Sequence, residues 1–164
     1  MYTRLYWVLG SWKGRLAISP RPRGGDWLDD EAKAWQRDGV DVVVSLLVPE
    51  EAEDSHLTDE RAACESAKMR FRSFPILDRD VPADESAVDK VLDELCRELE
   101  AGKNVVVHCR QGIGRAGMIA AALLIRSGLS DIEAVERVSK ARGVDVPETE
   151  EQRSWLRRFS EKRS

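Results

Sequence analysis

Histidine and cysteine are scarce in this chain, with two of the first and three of the second. His56 and His108 stand far apart, and Cys64, Cys96 and Cys109 share no ligand spacing, so neither a metal site nor any cofactor is expected. Three cysteines, an odd number without paired spacing, do not suggest a disulfide framework and fit a reducing compartment, with Cys64 and Cys96 read as buried helix residues. Positive charge is not in excess either. The formal net charge is -4 and the isoelectric point about 5.4, which argues against a nucleic-acid binder held by bulk electrostatics. Any affinity for anions must therefore be local. Long apolar runs are missing: the longest, Met118 to Ile125, cannot cross a bilayer. The apolar patch Leu5 to Leu9 is too short for a secretory signal and ends at Gly10-Ser11-Trp12-Lys13, so no membrane partner and a cytoplasmic location are expected. There is no internal repeat and no low-complexity segment. The 164 residues, 42% hydrophobic and 34% charged, read as one domain over 1–164 with a substantial core, and a monomer is expected.

Strand and helix signals alternate along the rest of the sequence, the pattern of an α/β domain with a central, mostly parallel sheet of about five strands flanked by helices. Gly10 and Gly14 bracket a hairpin joining Leu5–Leu9 to Arg15–Ile18. The run Ser19-Pro20-Arg21-Pro22-Arg23-Gly24-Gly25 then breaks regular structure. A helix is predicted from Asp26 to Arg37, and an apolar strand over Val40–Val48, ended by Pro49, is expected at the sheet centre. Helix over Thr58–Met69, strand over Arg70–Ile76 and an amphipathic helix over Asp84–Ala101 follow. In the last, Val88, Val91, Leu92, Leu95 and Leu99 keep helical spacing. After a strand over Asn104–His108, helices are predicted from Arg115 to Ser127, from a Ser130/Glu133 capping box onward, and around Trp155, Leu156 and Phe159.

The most telling stretch is Val105-Val106-Val107-His108-Cys109-Arg110-Gln111-Gly112-Ile113-Gly114-Arg115, in which a cysteine stands six positions before an arginine. It reads as strand, tight loop and helix start. Wrapped into a loop, Cys109 to Arg115 point several backbone N–H groups inward, and Gly112 and Gly114 relieve the steric limits on the turn. The positive end of the following helix faces the same point. Such a cradle stabilises an anion, whether a phosphate or the Cys109 thiolate itself. Cys109 is thus a candidate nucleophile and Arg115 a bidentate phosphate clamp.

This segment resembles the signature loop of the cysteine-dependent protein tyrosine phosphatase superfamily, in its small atypical dual-specificity branch. Similar pieces fall at Tyr6-Trp7-Val8-Leu9, Gly14-Arg15-Leu16-Ala17, Pro75-Ile76-Leu77-Asp78 and Glu148-Thr149-Glu150-Glu151-Gln152, so the resemblance covers nearly the whole chain. It implies a phosphatase-like fold and hydrolysis of phosphate monoesters through a phosphocysteine, on phosphotyrosine or on phosphoserine and phosphothreonine of proteins. Expected contacts to the phosphate come from Arg110, Gln111, Gly112, Ile113, Gly114 and Arg115. The Arg110 and Gln111 side chains either meet the rest of the substrate or are simply solvated.

A thiolate attacking phosphorus needs a general acid on the leaving oxygen. Asp78 matches the family's Pro-Ile-x-Asp pattern, and Asp80, two residues on, is the alternative. Arg79 between them either positions substrate or pairs with Asp80. In the second step the acid becomes the base for water. Gln152 is the candidate that orients this water, or else it only completes a Thr149-x-x-Gln152 capping box. The resemblance implies that His108 orients the loop and supports the thiolate, and alternation turns its side chain away from that of Cys109. His56 is expected to be solvated. One departure stands out: the residue after the signature arginine is Ala116, where the family has a serine or threonine whose hydroxyl donates to the sulfur. A slower phosphocysteine hydrolysis is expected, since a hydrogen bond to a charged group is worth about 1.5–3 kcal/mol. Two rival readings remain, a phosphatase of a phosphoinositide, nucleotide or RNA 5′-phosphate, and a phosphate-binding module without turnover, which Ala116 favours.

Overall fold

A computed structural model describes residues 2–163. Val105, Val106 and Val107 are the first three residues of strand β5 (Val105–His108) and are fully buried. Unbroken β-branched sequence of this kind suits a strand covered on both sides. Around it a five-stranded sheet has the order β1-β2-β5-β3-β4, with β1 (Tyr6–Val8), β2 (Leu16–Ser19), β3 (Val42–Ser45) and β4 (Arg70–Ser73). Among these strands only the β1–β2 hairpin pair is antiparallel. Val105 is level with Leu16 on one side and Val42 on the other, so the three inner strands end together at Ser19, His108 and Ser45.

Alternation along these strands splits the core in two. Leu16, Ile18, Val42, Val44, Val105 and Val107 join one cluster with α4 (Glu85–Glu100), α5 (Arg115–Arg126), α6 (Asp131–Arg142) and α7 (Glu150–Arg163). Ala17, Val43 and Val106 join the other with α1 (Leu28–Arg37) and α3 (Glu60–Ser66). Helix α5 is buried from Arg115 to Ile125, as an apolar helix enclosed by neighbours must be. A Cβ on its Gly117 would fall 2.8 Å from Cβ of Val146, so the glycine lets the segment before α7 lie directly on the helix. Among the described residues no helix is long and apolar enough to cross a membrane.

The element order follows the sequence, with three differences. Strand β3 is interior but lies between β5 and β4, so β5 and not the Val40–Val48 strand holds the sheet centre. Pro49, read as a stop, is the first residue of an extra short helix, α2 (Pro49–Asp54). Its lost N–H is one that a helix start leaves unbonded anyway, so proline suits this position. The helix over Thr58–Met69 is confined to α3, and the strand over Arg70–Ile76 to β4, although Phe74 and Ile76 still donate to Ser45 and Leu46. At the predicted Ser130 cap the Ser130 hydroxyl accepts from the Glu133 amide, and Asp84 caps α4 by accepting from the Ala87 amide.

Candidate active site

Between the end of β5 and the start of α5 the chain folds into a tight loop, Cys109 to Gly114. Period-two alternation sends His108 to the α1/α3 side and Cys109 to the opposite side. Cys109 is 3% exposed, and its Sγ accepts from the Gly112 amide at 3.3 Å. That amide is available because Gly112 has a left-handed backbone, φ 71°, and passes so close to β2 that a Cβ would lie 2.5 Å from the Ser19 carbonyl carbon. Ala116, one residue into α5, is fully buried and offers no hydroxyl.

Arg115 enters the site from the first turn of α5, 2% exposed. Its Nη1 and Nη2 donate to the two carboxylate oxygens of Glu51 at 2.7 and 2.9 Å, and Nη1 also donates to the Ile76 carbonyl at 2.9 Å. Nη2 lies 3.2 Å from Oδ1 of Asp78. Burial works against this charge, but the Glu51 hydrogen bonds and the negative fields of Cys109, Glu51 and Asp78 outweigh it and raise the guanidinium further above its ordinary range. Glu51 is itself buried in the first turn of α2, where it accepts from the Val48 amide at 3.1 Å. Burial pushes its carboxyl up, and the Arg115 and Val48 hydrogen bonds with the Arg115 and Arg110 charges bring it below the usual carboxylate range.

Asp78 is half exposed and shares a cleft of about 190 Å³ with Cys109 and Arg115. Asp80 is not at that cleft; its carboxylate accepts from the Val81 amide at 2.7 Å. Arg79, at φ 63°, reaches across the mouth to Glu148 at 3.4 Å rather than to Asp80. Gln152 is fully buried and does two things at once. It forms the capping box, its Oε1 accepting from the Thr149 amide and its own amide donating to Thr149 Oγ1, and its Nε2 donates to the Asp80 carbonyl at 3.0 Å. It therefore ties the loop bearing Asp78 to the start of α7, with one Nε2 hydrogen left over.

The side chains of Arg110 and Gln111 are exposed at the cleft, and Arg110 lies 3.5 Å from Glu51. Gly114 lines it too, whereas Ile113 packs against the core. His108 is fully buried, with Nε2 2.6 Å from Oε2 of Glu60, Nδ1 3.4 Å from the Cys109 carbonyl and its ring tilted against Trp35. His56 is exposed in its loop. Cys64 is a different kind of cysteine: burial, helped by Glu60 and Glu65, pushes its thiol far up and leaves it inert. Sequence reasoning missed Glu51 and Glu60. The signal for Glu51 was Pro49-Glu50-Glu51, a proline and a carboxylate placed as in the first turn of a helix; Glu60 gave none.

With its cysteine loop set between the central strand and a buried helix, the chain belongs by comparison to the protein tyrosine phosphatase superfamily, small atypical dual-specificity branch. Residues 19–129 match the family described as "Tc-R-P: Polymorphic toxin system, DSP-PTPase phosphatase", and the chain belongs to it. Over 90 residues the chain is 29% identical to cyclin-dependent kinase inhibitor 3 of Rattus norvegicus, a stretch that is 54% of this chain and 42% of that protein. It thus spans less than half the length of this curated relative. Kinase associated phosphatase, solved with serine in place of its catalytic-site cysteine, superposes with a TM-score of 0.88 over 99% of this chain and 96% of that one, at 17% identity. Tk-PTP in its active form gives 0.75 over 95% and 97%, at 28% identity. Its glycine-to-alanine mutant form gives 0.74 over 91% of both chains, at 31% identity.

Proposed function

We propose that this chain is an active phosphatase that hydrolyses phosphate monoesters of proteins, on phosphotyrosine or on phosphoserine and phosphothreonine, through a phosphocysteine at Cys109. The observation that carries this reading is the convergence of Cys109, Arg115 and Asp78 on one cleft. The phosphate takes the place that Asp78 now holds against Arg115, and the loop amides and the α5 N-terminus share its charge. Cys109 Sγ attacks phosphorus, the ester oxygen leaves with the proton of Asp78, and the phosphoryl group rests on sulfur. Asp78, now a carboxylate, takes a proton from the water that attacks the phosphocysteine, and phosphate leaves as the thiolate returns. Gln152, fully buried and outside the cleft lining, holds the acid loop through the Asp80 carbonyl. His108, braced by Glu60, supports the loop from beneath.

One observation favours a second reading, the same chemistry on a non-protein monoester. The cleft is lined by charged and polar groups, among them Arg79, Arg110, Gln111 and Glu148, with no aromatic ring among the described lining residues to stack on a phosphotyrosine. Rates on phosphopeptides, inositol phosphates, nucleotides and RNA 5′-ends, for wild type beside Cys109→Ser, separate the two. Protein phosphatase activity requires phosphopeptides to be the best substrates, and Cys109→Ser to abolish hydrolysis while still binding oxyanions. A Cys109→Ser protein of full activity would end both readings.

A further inference from the structure

The carbonyl groups of the cysteine loop need partners as much as its amides need an anion. The Cys109 carbonyl faces His108, that of Arg110 accepts from the Arg21 amide, and those of Ile113 and Gly114 accept from Gly117 and Met118 inside α5. Gln111 and Gly112, at the loop's tip, are beyond the reach of that helix. Both are served by one side chain from elsewhere. Arg142, the last residue of α6, donates from Nη2 to the Gln111 carbonyl and from Nε to the Gly112 carbonyl, each at 3.1 Å.

The peptide joining Gln111 to Gly112 links this guanidinium to the sulfur. A trans peptide points its C=O and N–H in opposite directions. The carbonyl of this one accepts from Arg142, and its N–H donates to Cys109 Sγ at 3.3 Å. A cation at the carbonyl end polarises the peptide so that its N–H presents more positive charge to sulfur. The guanidinium is itself held, since its carbon lies 4.2 Å from the centre of the Tyr6 ring on β1. A planar fork that donates to two carbonyls and stacks on a ring is a task for arginine and not for lysine.

We propose that Arg142 is a positioning residue for the reaction: it fixes and polarises the tip of the cysteine loop so that the Gly112 amide stays on Cys109 Sγ and the cradle stays open to an oxyanion. This rests on Cys109 being the nucleophile. The test compares Arg142→Ala and Arg142→Lys with wild type in thermal unfolding, in iodoacetate alkylation of Cys109 followed by peptide mapping, in vanadate affinity, and in kcat/KM for an aryl phosphate. In a folded Arg142→Ala protein, alkylation rate, vanadate affinity and kcat/KM should each fall about 10- to 100-fold. Arg142→Lys keeps the charge but reaches one carbonyl at a time, so it should recover only part of each. Should the alanine variant not fold, the lysine variant alone decides, since the proposal requires it to stay below wild type. A folded alanine variant within about twofold of wild type, or a lysine variant fully equal to it, overturns the proposal. Wild type that hydrolyses nothing, yet shows alkylation and vanadate binding dependent on Arg142, would refute the phosphatase reading and leave the positioning role standing.

Discussion

Replacing Glu51 by glutamine tests how Arg115, the proposed phosphate clamp, is held. In the native site the carboxylate accepts two short hydrogen bonds from a guanidinium that is 2% exposed. Glutamine keeps one acceptor and turns an NH2 group toward a donor that cannot accept. One charge-assisted bond is lost outright and the other becomes an ordinary one, beside a buried charge that has lost its main counter-ion. The expected cost is about 3 kcal/mol. For a domain of this size that lowers Tm by about 6–12 °C at neutral pH. The pH dependence gives a sharper check. The Glu51 carboxyl is held lower in the folded than in the unfolded chain, so its stabilisation is complete above the unfolded carboxylate range. It is lost as pH falls through the folded value. Glutamine does not titrate, so the stability gap between the two proteins should close on acidification. Glu31, where the Thr3 and Arg23 hydrogen bonds likewise outweigh burial, titrates in both proteins and cancels from the difference. Circular dichroism melts from neutral to acid pH measure the gap. A Tm within about 2 °C of wild type at neutral pH, or a gap that widens in acid, would refute the assignment of Glu51 as the anchor of Arg115.

Asp78→Asn should slow turnover most for esters with poor leaving groups and leave Tm nearly unchanged, because its ion pair with Arg115 is half exposed; a leaving-group series and a melt check both. Gly112→Ala should destabilise the fold by at least about 2 kcal/mol in urea titration, through its left-handed backbone and the 2.5 Å approach to Ser19. It should also abolish vanadate binding. Ala116→Ser should shrink the pre-steady-state burst and raise turnover about tenfold if phosphocysteine hydrolysis is limiting, as stopped-flow release of an aryl leaving group reports. No change in burst or rate would mean that another donor already serves the sulfur.

The cysteine loop was legible in sequence because its causes are local. A β-branched strand, two glycines and a helix start follow one another within a few residues, and period-two alternation suffices to separate His108 from Cys109. The groups that brace it were not legible, because they arrive from far along the chain. Glu51 meets Arg115 across 64 positions, and Glu60 meets His108 across 48. Nothing in their own neighbourhoods says which partner they meet. Arg142 is similar: at a helix end it reads as a favourable charge on the helix dipole, and only the fold lays it over Tyr6 and under the loop. The misplaced sheet centre has the same origin, since the apolar runs Val40–Val48 and Val105–Val107 alike suit a buried strand, and strand order is set by the crossovers between them. The Pro75-Ile76-Leu77-Asp78 pattern already favoured Asp78 over Asp80; what it did not show is the arrangement around Asp80, where the backbone at Arg79 turns left-handed and Gln152 holds the Asp80 carbonyl.

The central claim is a covalent phosphoryl group on Cys109, and rapid acid quench during turnover of a phosphopeptide, followed by mass mapping of the three cysteine peptides, tests it most directly. A phosphoryl adduct on the Cys109 peptide, absent from those of Cys64 and Cys96 and absent in Cys109→Ser, is the expected result. Steady hydrolysis with no adduct on Cys109, or with turnover surviving in Cys109→Ser, would contradict it.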